Sequence, residues 1–138
     1  MSTPPIRIVS FGYLHDAPPE AELVIDVRQL LRDPARMKGA GLLDQDGRDA
    51  AVRQVVLSTP GAATLLDIVS QAIDIARVTG KPMTIAFGCA GGRHRSVALA
   101  EVLAGLLDAE GVTVELEHRH VHLPRVVREG DDREGHRR

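Results

Sequence analysis

Phe87-Gly-Cys-Ala-Gly-Gly-Arg-His-Arg-Ser96 joins two segments of different periodicity, and its reading decides the fold. Before it, Met83-Thr-Ile-Ala-Phe87 is a continuous apolar run of strand length, the kind buried on both faces of a sheet. After it, from about His94 to Glu110, Val97, Ala98, Val102, Leu103, Leu106 and Leu107 recur at helical spacing, and Gly111 stops the helix. A buried strand that turns directly into a long helix belongs to an α/β domain. In open sheets of that class, ligands collect at the C-terminal strand ends, where such turns sit.

The composition of the turn suits an anion. The free N–H groups and dipole of a helix N-terminus favour negative charge. Gly88, Gly91 and Gly92 let the backbone curl and approach a ligand closely. Arg93 and Arg95 add positive charge, and Ser96 adds a hydroxyl. With Cys89, Ala90 and His94 between them, the whole Gly88–Ser96 loop is the candidate phosphate cradle.

Outward from the loop, Ile6 to Tyr13 reads as a buried strand and Leu23 to Val27 as a second. Residues 29–47, with Pro34, Gly39, Gly41 and Gly47, read as a long loop or lid. Residues 48–57 suit a short helix. Ser58-Thr59-Pro60 reads as the start of the next helix, whose Leu65, Leu66, Val69, Ala72, Ile73 and Ala76 repeat until Gly80. Val112 to Val121 is the last strand. The order predicts a single α/β domain, residues 1–128, with a mixed, mostly parallel sheet and right-handed crossovers. Residues 129–138, EGDDREGHRR, read as a charged flexible tail.

Composition narrows the classes. The 138 residues, 43% hydrophobic and 26% charged, fit one globular domain. A single cysteine excludes an internal disulfide framework and makes a cytoplasmic setting the default. No apolar run reaches membrane-spanning length, and the N-terminus is not that of a signal peptide. The net charge is -2, so the chain as a whole is not a nucleic-acid-type cation. Of 17 basic residues only Lys38 and Lys81 are lysine, a bias suited to bidentate capture of phosphate or carboxylate. The three aromatics, Phe11, Tyr13 and Phe87, are too few for a base-stacking platform.

The loop is neither a Walker A motif nor a dinucleotide fingerprint, since neither spacing occurs. It does fit Cys-x5-Arg-Ser, through Cys89, Arg95 and Ser96, the spacing of cysteine-dependent phosphatases. There a helix N-terminus and an Arg activate the thiolate that attacks phosphorus. That reading makes Cys89 the nucleophile, Arg95 the clamp and Asp26, Asp44 or Asp46 the general acid. Gly88 stands where such enzymes usually have His. The plainer reading makes Cys89 an inert small residue.

Around this loop the chain resembles the C-terminal domain of the RapZ family of RNase adapter proteins. The family loop usually reads Gly-Cys-Thr-Gly-Gly-x-His-Arg-Ser, and here Ala90 replaces the Thr. Phe11-Gly12, Ala21 to Arg28, Gly41-Leu-Leu-Asp44 and His118-Arg119 follow in the family's order, over roughly residues 6–122. The resemblance implies a module that binds small phosphorylated metabolites and, in some members, small regulatory RNAs. Full-length members carry an N-terminal P-loop domain, so this chain is expected to be a stand-alone version. The family's Pro-rich stretch after Asp-Val-Arg is reduced to Leu31-Arg-Asp-Pro34.

Three further groups bear on the site. Asp26 and Arg28 lie two apart at a strand end, either as ligand contacts or as a structural pair. His118, His120 and His122 alternate along the expected last strand and so share a face there. Three imidazoles on one face suit zinc, but no carboxylate or Cys is placed with them and a solvated face is preferred. His118 with Arg119 is assigned to the anion pocket. His118 to Arg128 is a basic segment suited to a phosphate backbone.

The favoured expectation is a non-catalytic regulatory module without cofactor or metal. Its ligand is a phosphosugar, a nucleotide or an RNA phosphate. Arg95 is its main side-chain clamp, and Asp26 and Arg28 complete the pocket. RNA is an alternative partner, no membrane is involved, and a homo-oligomer remains open.

Overall fold

The computed structural model describes residues 5–31 and 41–124. Its elements are β1 (Ile6–Gly12), β2 (Leu23–Asp26), α1 (Val27–Leu30), α2 (Ala50–Leu57), α3 (Ala62–Thr79), β3 (Met83–Cys89), α4 (Arg95–Ala109) and β4 (Val114–His118). The strands form one sheet in the order β2-β3-β1-β4. Every pairing is parallel, so the expected α/β domain with a largely parallel sheet is what the chain forms.

The two central strands explain their own sequences. Ile8, Val9 and Phe11 of β1 and Ile85, Ala86 and Phe87 of β3 are fully buried, because both faces of these strands are covered. The covering is unequal. On one face Ile6, Ile8, Ile85 and Phe87 join Val52 and Val56 of α2, Leu66, Val69 and Ile73 of α3, and Leu99 and Leu103 of α4. Each such side chain contributes about 1.5–3 kcal/mol of burial. On the other face, among the described residues, the apolar side chains packed against Val9, Phe11 and Ala86 are Tyr13 and Ala21. Val24 of edge strand β2 stays half exposed there.

Two boundaries differ from expectation. Ser58 and Thr59 do not open α3. Both hydroxyls donate to the Val55 carbonyl, at 2.8 and 3.2 Å, and close α2. Pro60 breaks the chain, and α3 begins at Ala62 with Gly61 as its N-cap at φ 94°. The last strand stops at His118, short of the expected Val121. The chain turns there, so His118, His120 and His122 share no strand face. The Gly80 stop holds, at φ 72°.

Part of the expected lid, residues 32–40, lies outside the described residues, as do the 129–138 tail and the basic segment beyond Pro124. Within the rest, residues 27–30 form the short α1, and residues 41–49 are fixed against α4 as described below. Among the described residues no single helix is long and apolar enough to cross a membrane.

Candidate functional site

The C-terminal ends of β1, β2 and β3 meet the β3–α4 turn. At its base, Gly12 lies backbone-on-backbone against Gly91 and Gly92. A Cβ on Gly12 would fall 2.5 Å from the Gly91 carbonyl carbon and 2.6 Å from the Gly92 nitrogen. Gly92 itself sits at φ 72°, and a Cβ there would be 2.7 Å from the Gly12 nitrogen. Only glycine serves at either position. Beyond Gly12, the Tyr13 and Leu14 N–H groups donate to the Cys89 and Ala90 carbonyls at 2.9 and 3.0 Å. Gly91 differs from both, for a Cβ there meets nothing within 4 Å. The turn is thus closed below and open at Gly91.

Cys89 and Ser96 form the inner wall. The Cys89 Sγ lies 3.0 Å from the Ser96 Oγ and accepts the Gly92 N–H at 3.3 Å. Both residues are buried, with Cys89 4% exposed. The sulfur thereby ties the end of β3 to the first turn of α4.

The basic residues of the turn are engaged with protein carbonyls. Arg93 donates from Nη2 to the Asp44 and Gln45 carbonyls at 2.9 and 3.3 Å. Its Nη1 donates to the Val121 and Leu123 carbonyls at 3.5 and 3.3 Å. His94 is the N-cap of α4, yet its side chain makes no capping bond; its Nε2 donates to the Leu43 carbonyl at 3.0 Å. Arg95 is buried, and its Nη1 donates to the Val27 and Leu31 carbonyls at 3.1 and 2.8 Å. Arg95, expected to be the main phosphate clamp, gives this nitrogen to the α1 segment. The N-cap side chain itself thus adds no cap to α4, which suits an anion at the helix N-terminus.

Asp26 and Arg28 are brought together, though not as neighbours along a strand. Asp26 ends β2 and caps α1, accepting the Arg28 N–H at 3.0 Å. Its two oxygens also accept Arg28 Nε at 3.0 Å and Nη2 at 2.8 Å. That side-chain bond, opposed by burial, holds the Asp26 carboxyl below its ordinary range. The Arg28 guanidinium lies 3.6 Å over the Tyr13 ring. Tyr13 in turn packs edge-on to Phe11. Gly88 makes room for both rings, since a Cβ there would run into them. Arg28 is half exposed and keeps one face toward solvent.

The end of β4 is pinned rather than open. His118 Nε2 donates to Glu101 Oε2 at 2.7 Å. In the neutral ring its Nδ1 accepts the hydroxyl of fully buried Ser10, at 2.6 Å. Arg119 is exposed, and its N–H donates to the Ser10 carbonyl. His120 is buried and accepts the Gly12 N–H at Nδ1, 2.8 Å away. His122 is exposed. Among the described residues no group of three His, Cys, Asp or Glu is placed to hold a metal ion, which removes the zinc arrangement.

Several contributors were not assigned to the anion pocket from sequence, Asp46 having entered only as a candidate general acid and Gly12 only through the family resemblance. Gly47 packs its Cα against Ala98 and His94, and its N–H donates to the Arg93 carbonyl at 2.7 Å. Asp46, nearly buried, binds Arg48 through both oxygens. That bond lowers its carboxyl against the opposing effect of burial. Gly12, Ser10 and Tyr13 complete the frame. A Phe-Gly pair ending a buried strand, or a lone Gly near a helix start, is the only sequence signal these gave.

The family model described as the RapZ C-terminal domain matches residues 4–122. The chain is 38% identical over 123 residues to a nucleotide-binding protein of Nitratidesulfovibrio vulgaris, covering 86% of this chain and 40% of that protein. It is 42% identical over 122 residues to one of Mycobacterium avium, covering 85% and 40%. It is 42% identical over 118 residues to one of Thermobifida fusca, covering 82% and 39%. The chain therefore spans about two fifths of the length of these relatives.

Proposed function

This chain belongs to the RapZ C-terminal domain family, and on that premise we propose that it is a regulatory binding module for a phosphate-bearing small molecule, a nucleotide or a phosphosugar. The relatives' shared name, nucleotide-binding protein, supports the nucleotide arm. The observation that carries the reading is the turn itself, closed below by Gly12 and Gly92 and open at Gly91 among the described residues, before a 15-residue helix whose N-cap side chain makes no capping bond. Backbone N–H groups of this turn and the helix dipole take the phosphate. Arg93 and Arg95 add field rather than bonds from the nitrogens already engaged. Arg28, with Asp26 fixing it, faces the remainder of the ligand. His118 and Arg119 flank the pocket from β4. The setting that fits such a module is cytoplasmic.

A thermal-shift screen of nucleotides and phosphosugars tests this. A ligand at about 100 times its Kd adds about 2.7 kcal/mol, a shift of several degrees. Gly91→Val, which fills the opening, should abolish that shift. A panel in which no phosphorylated compound raises Tm would sink the proposal.

A second reading has its own observation, the Ser96 hydroxyl and Gly92 N–H directed at the Cys89 sulfur. In it the thiolate would attack phosphorus and a protonated acid would release the leaving group. Asp26 and Asp46 suit that acid poorly, because their arginine partners keep both carboxyls ionised. If Cys89→Ser kept ligand binding and wild type released no phosphate from an aryl phosphate, the catalytic reading would fall.

A further inference from the structure

We propose that His120 is a positioning residue that holds the floor of the β3–α4 turn, and that it does so only as a neutral imidazole. The inference rests on the phosphate reading above and names what keeps that site in shape.

His120 touches both partners of the glycine contact. Its Nδ1 accepts the Gly12 N–H at 2.8 Å. Its Cβ lies 3.0 Å from the place a Cβ on Gly92 would take. Gly12 is the residue on which Gly91 and Gly92 rest. One side chain thus fixes the strand end and limits how far the turn can settle onto it.

The direction of the hydrogen bond sets the protonation state. An amide N–H only donates, so Nδ1 must carry a lone pair and the ring proton sits on Nε2. Protonating Nδ1 would set two N–H groups against each other and leave the buried Gly12 amide without its acceptor.

Among the described residues the charged neighbours are few. The His15 ring lies tilted against His120, at a centroid distance of 4.9 Å and an interplanar angle of 36°. Asp16 follows it in the β1–β2 connection, and Arg119 precedes His120. Arg93, from the turn, reaches the carbonyls of Val121 and Leu123 beyond it. Burial, then His15, lowers the His120 titration from its ordinary value; Asp16 opposes this and Arg119 adds to it. With the folded value depressed, the contribution is complete above the unfolded value of about 6.5 and is lost as pH falls through the folded one.

The test is a sulfate titration of 15N-labelled protein, followed at the Gly91 and Gly92 amides. Sulfate mimics phosphate but keeps its charge across the range. Between about pH 8 and about pH 5, affinity should fall about tenfold, the worth of one buried hydrogen bond. H120N offers an acceptor near the same place without a basic nitrogen, so it should bind as wild type does at pH 8 and show a flat profile. H120L should bind about tenfold more weakly at pH 8. A wild-type pH slope that survives in H120N, or H120L binding like wild type, overturns the proposal.

If wild type binds no sulfate at any pH, the phosphate reading fails, and long-range 1H–15N spectra decide the His120 inference alone. An Nε2–H tautomer whose titration shifts the Gly12 and Gly92 amides supports it. An Nδ1–H tautomer, or amides that ignore the titration, overturns it.

Discussion

On one flank of the β3–α4 turn, Arg93 directs its guanidinium at four carbonyls of the 43–46 and 121–123 loops. On the other flank, Arg28 lies half exposed over Tyr13, held by both oxygens of Asp26. Arg93 belongs to the turn, and Arg28 is linked to it through Tyr13, whose N–H donates to the Cys89 carbonyl. The first joins loops that are far apart in sequence, and the second presents a flat cation to whatever enters. Nitrogens given to carbonyls are not available to a phosphate. On the proposed phosphate reading, direct contact falls to backbone groups near Gly91, while the buried arginines supply potential and rigidity. A substitution on the buried flank should act on the fold, and one on the open flank on binding.

The sharpest way to break this contrast uses two glycines. Gly12→Ala puts a methyl into the Gly91–Gly92 backbone and should cost on the order of 3 kcal/mol in urea unfolding. Gly91→Ala should change stability by less than about 0.5 kcal/mol, since nothing lies within reach of the new methyl. Similar losses for both would show that the opening is not there.

Next come the buried donors. Arg95→Ala removes a donor from two carbonyls in a buried setting and should cost about 2–4 kcal/mol. Arg93→Ala, at a more exposed place, should cost about 1–2 kcal/mol and speed amide exchange in residues 41–47. If either variant keeps full stability but loses ligand, that arginine belongs to the open flank.

Acid should loosen the buried flank at Asp46. Its carboxyl is held low by Arg48, so its contribution is present above the unfolded value of about 3.9 and is lost as pH falls below it. Acid unfolding of Asp46→Asn should therefore lack part of the wild-type pH dependence below about pH 4.

The smallest stability effect is expected for Arg28→Ala, because the pair with Asp26 is largely exposed. Its ligand affinity should nonetheless fall about tenfold by titration calorimetry, the worth of one charge-assisted contact. Arg28→Lys should not restore it, since an ammonium cannot lie flat on Tyr13 while meeting both Asp26 oxygens.

The sheet and the turn were legible because periodicity and burial act locally: an apolar Met83–Phe87 followed by a glycine turn and a helical stripe leaves few alternatives. Ser58 and Thr59 were misread because a hydroxyl before Pro suits the next helix and the preceding one equally, and only Val55 decides. The alternation of His118, His120 and His122 held meaning only if the strand continued. It ends at His118, where Ser10 and Glu101 claim the ring. The roles of Arg93 and Arg95 were hidden for another reason. Whether an arginine meets a ligand or a carbonyl depends on loops about 30–70 residues away in sequence.

The bond from Gly12 to His120 spans 108 residues, and β1 lies at the centre of the sheet between β3 and β4. During synthesis, β1 therefore leaves the ribosome before the other three strands and waits longest. At about 5–20 residues per second, its partner β4 follows roughly 5–20 s later. Until then Ile6, Ile8, Val9 and Phe11 have no complete sheet to enter, and a chaperone or an aggregating neighbour competes for them. A nascent chain stalled before Val114 would carry the whole β3–α4 turn and still lack the imidazole that bonds to Gly12 beneath it.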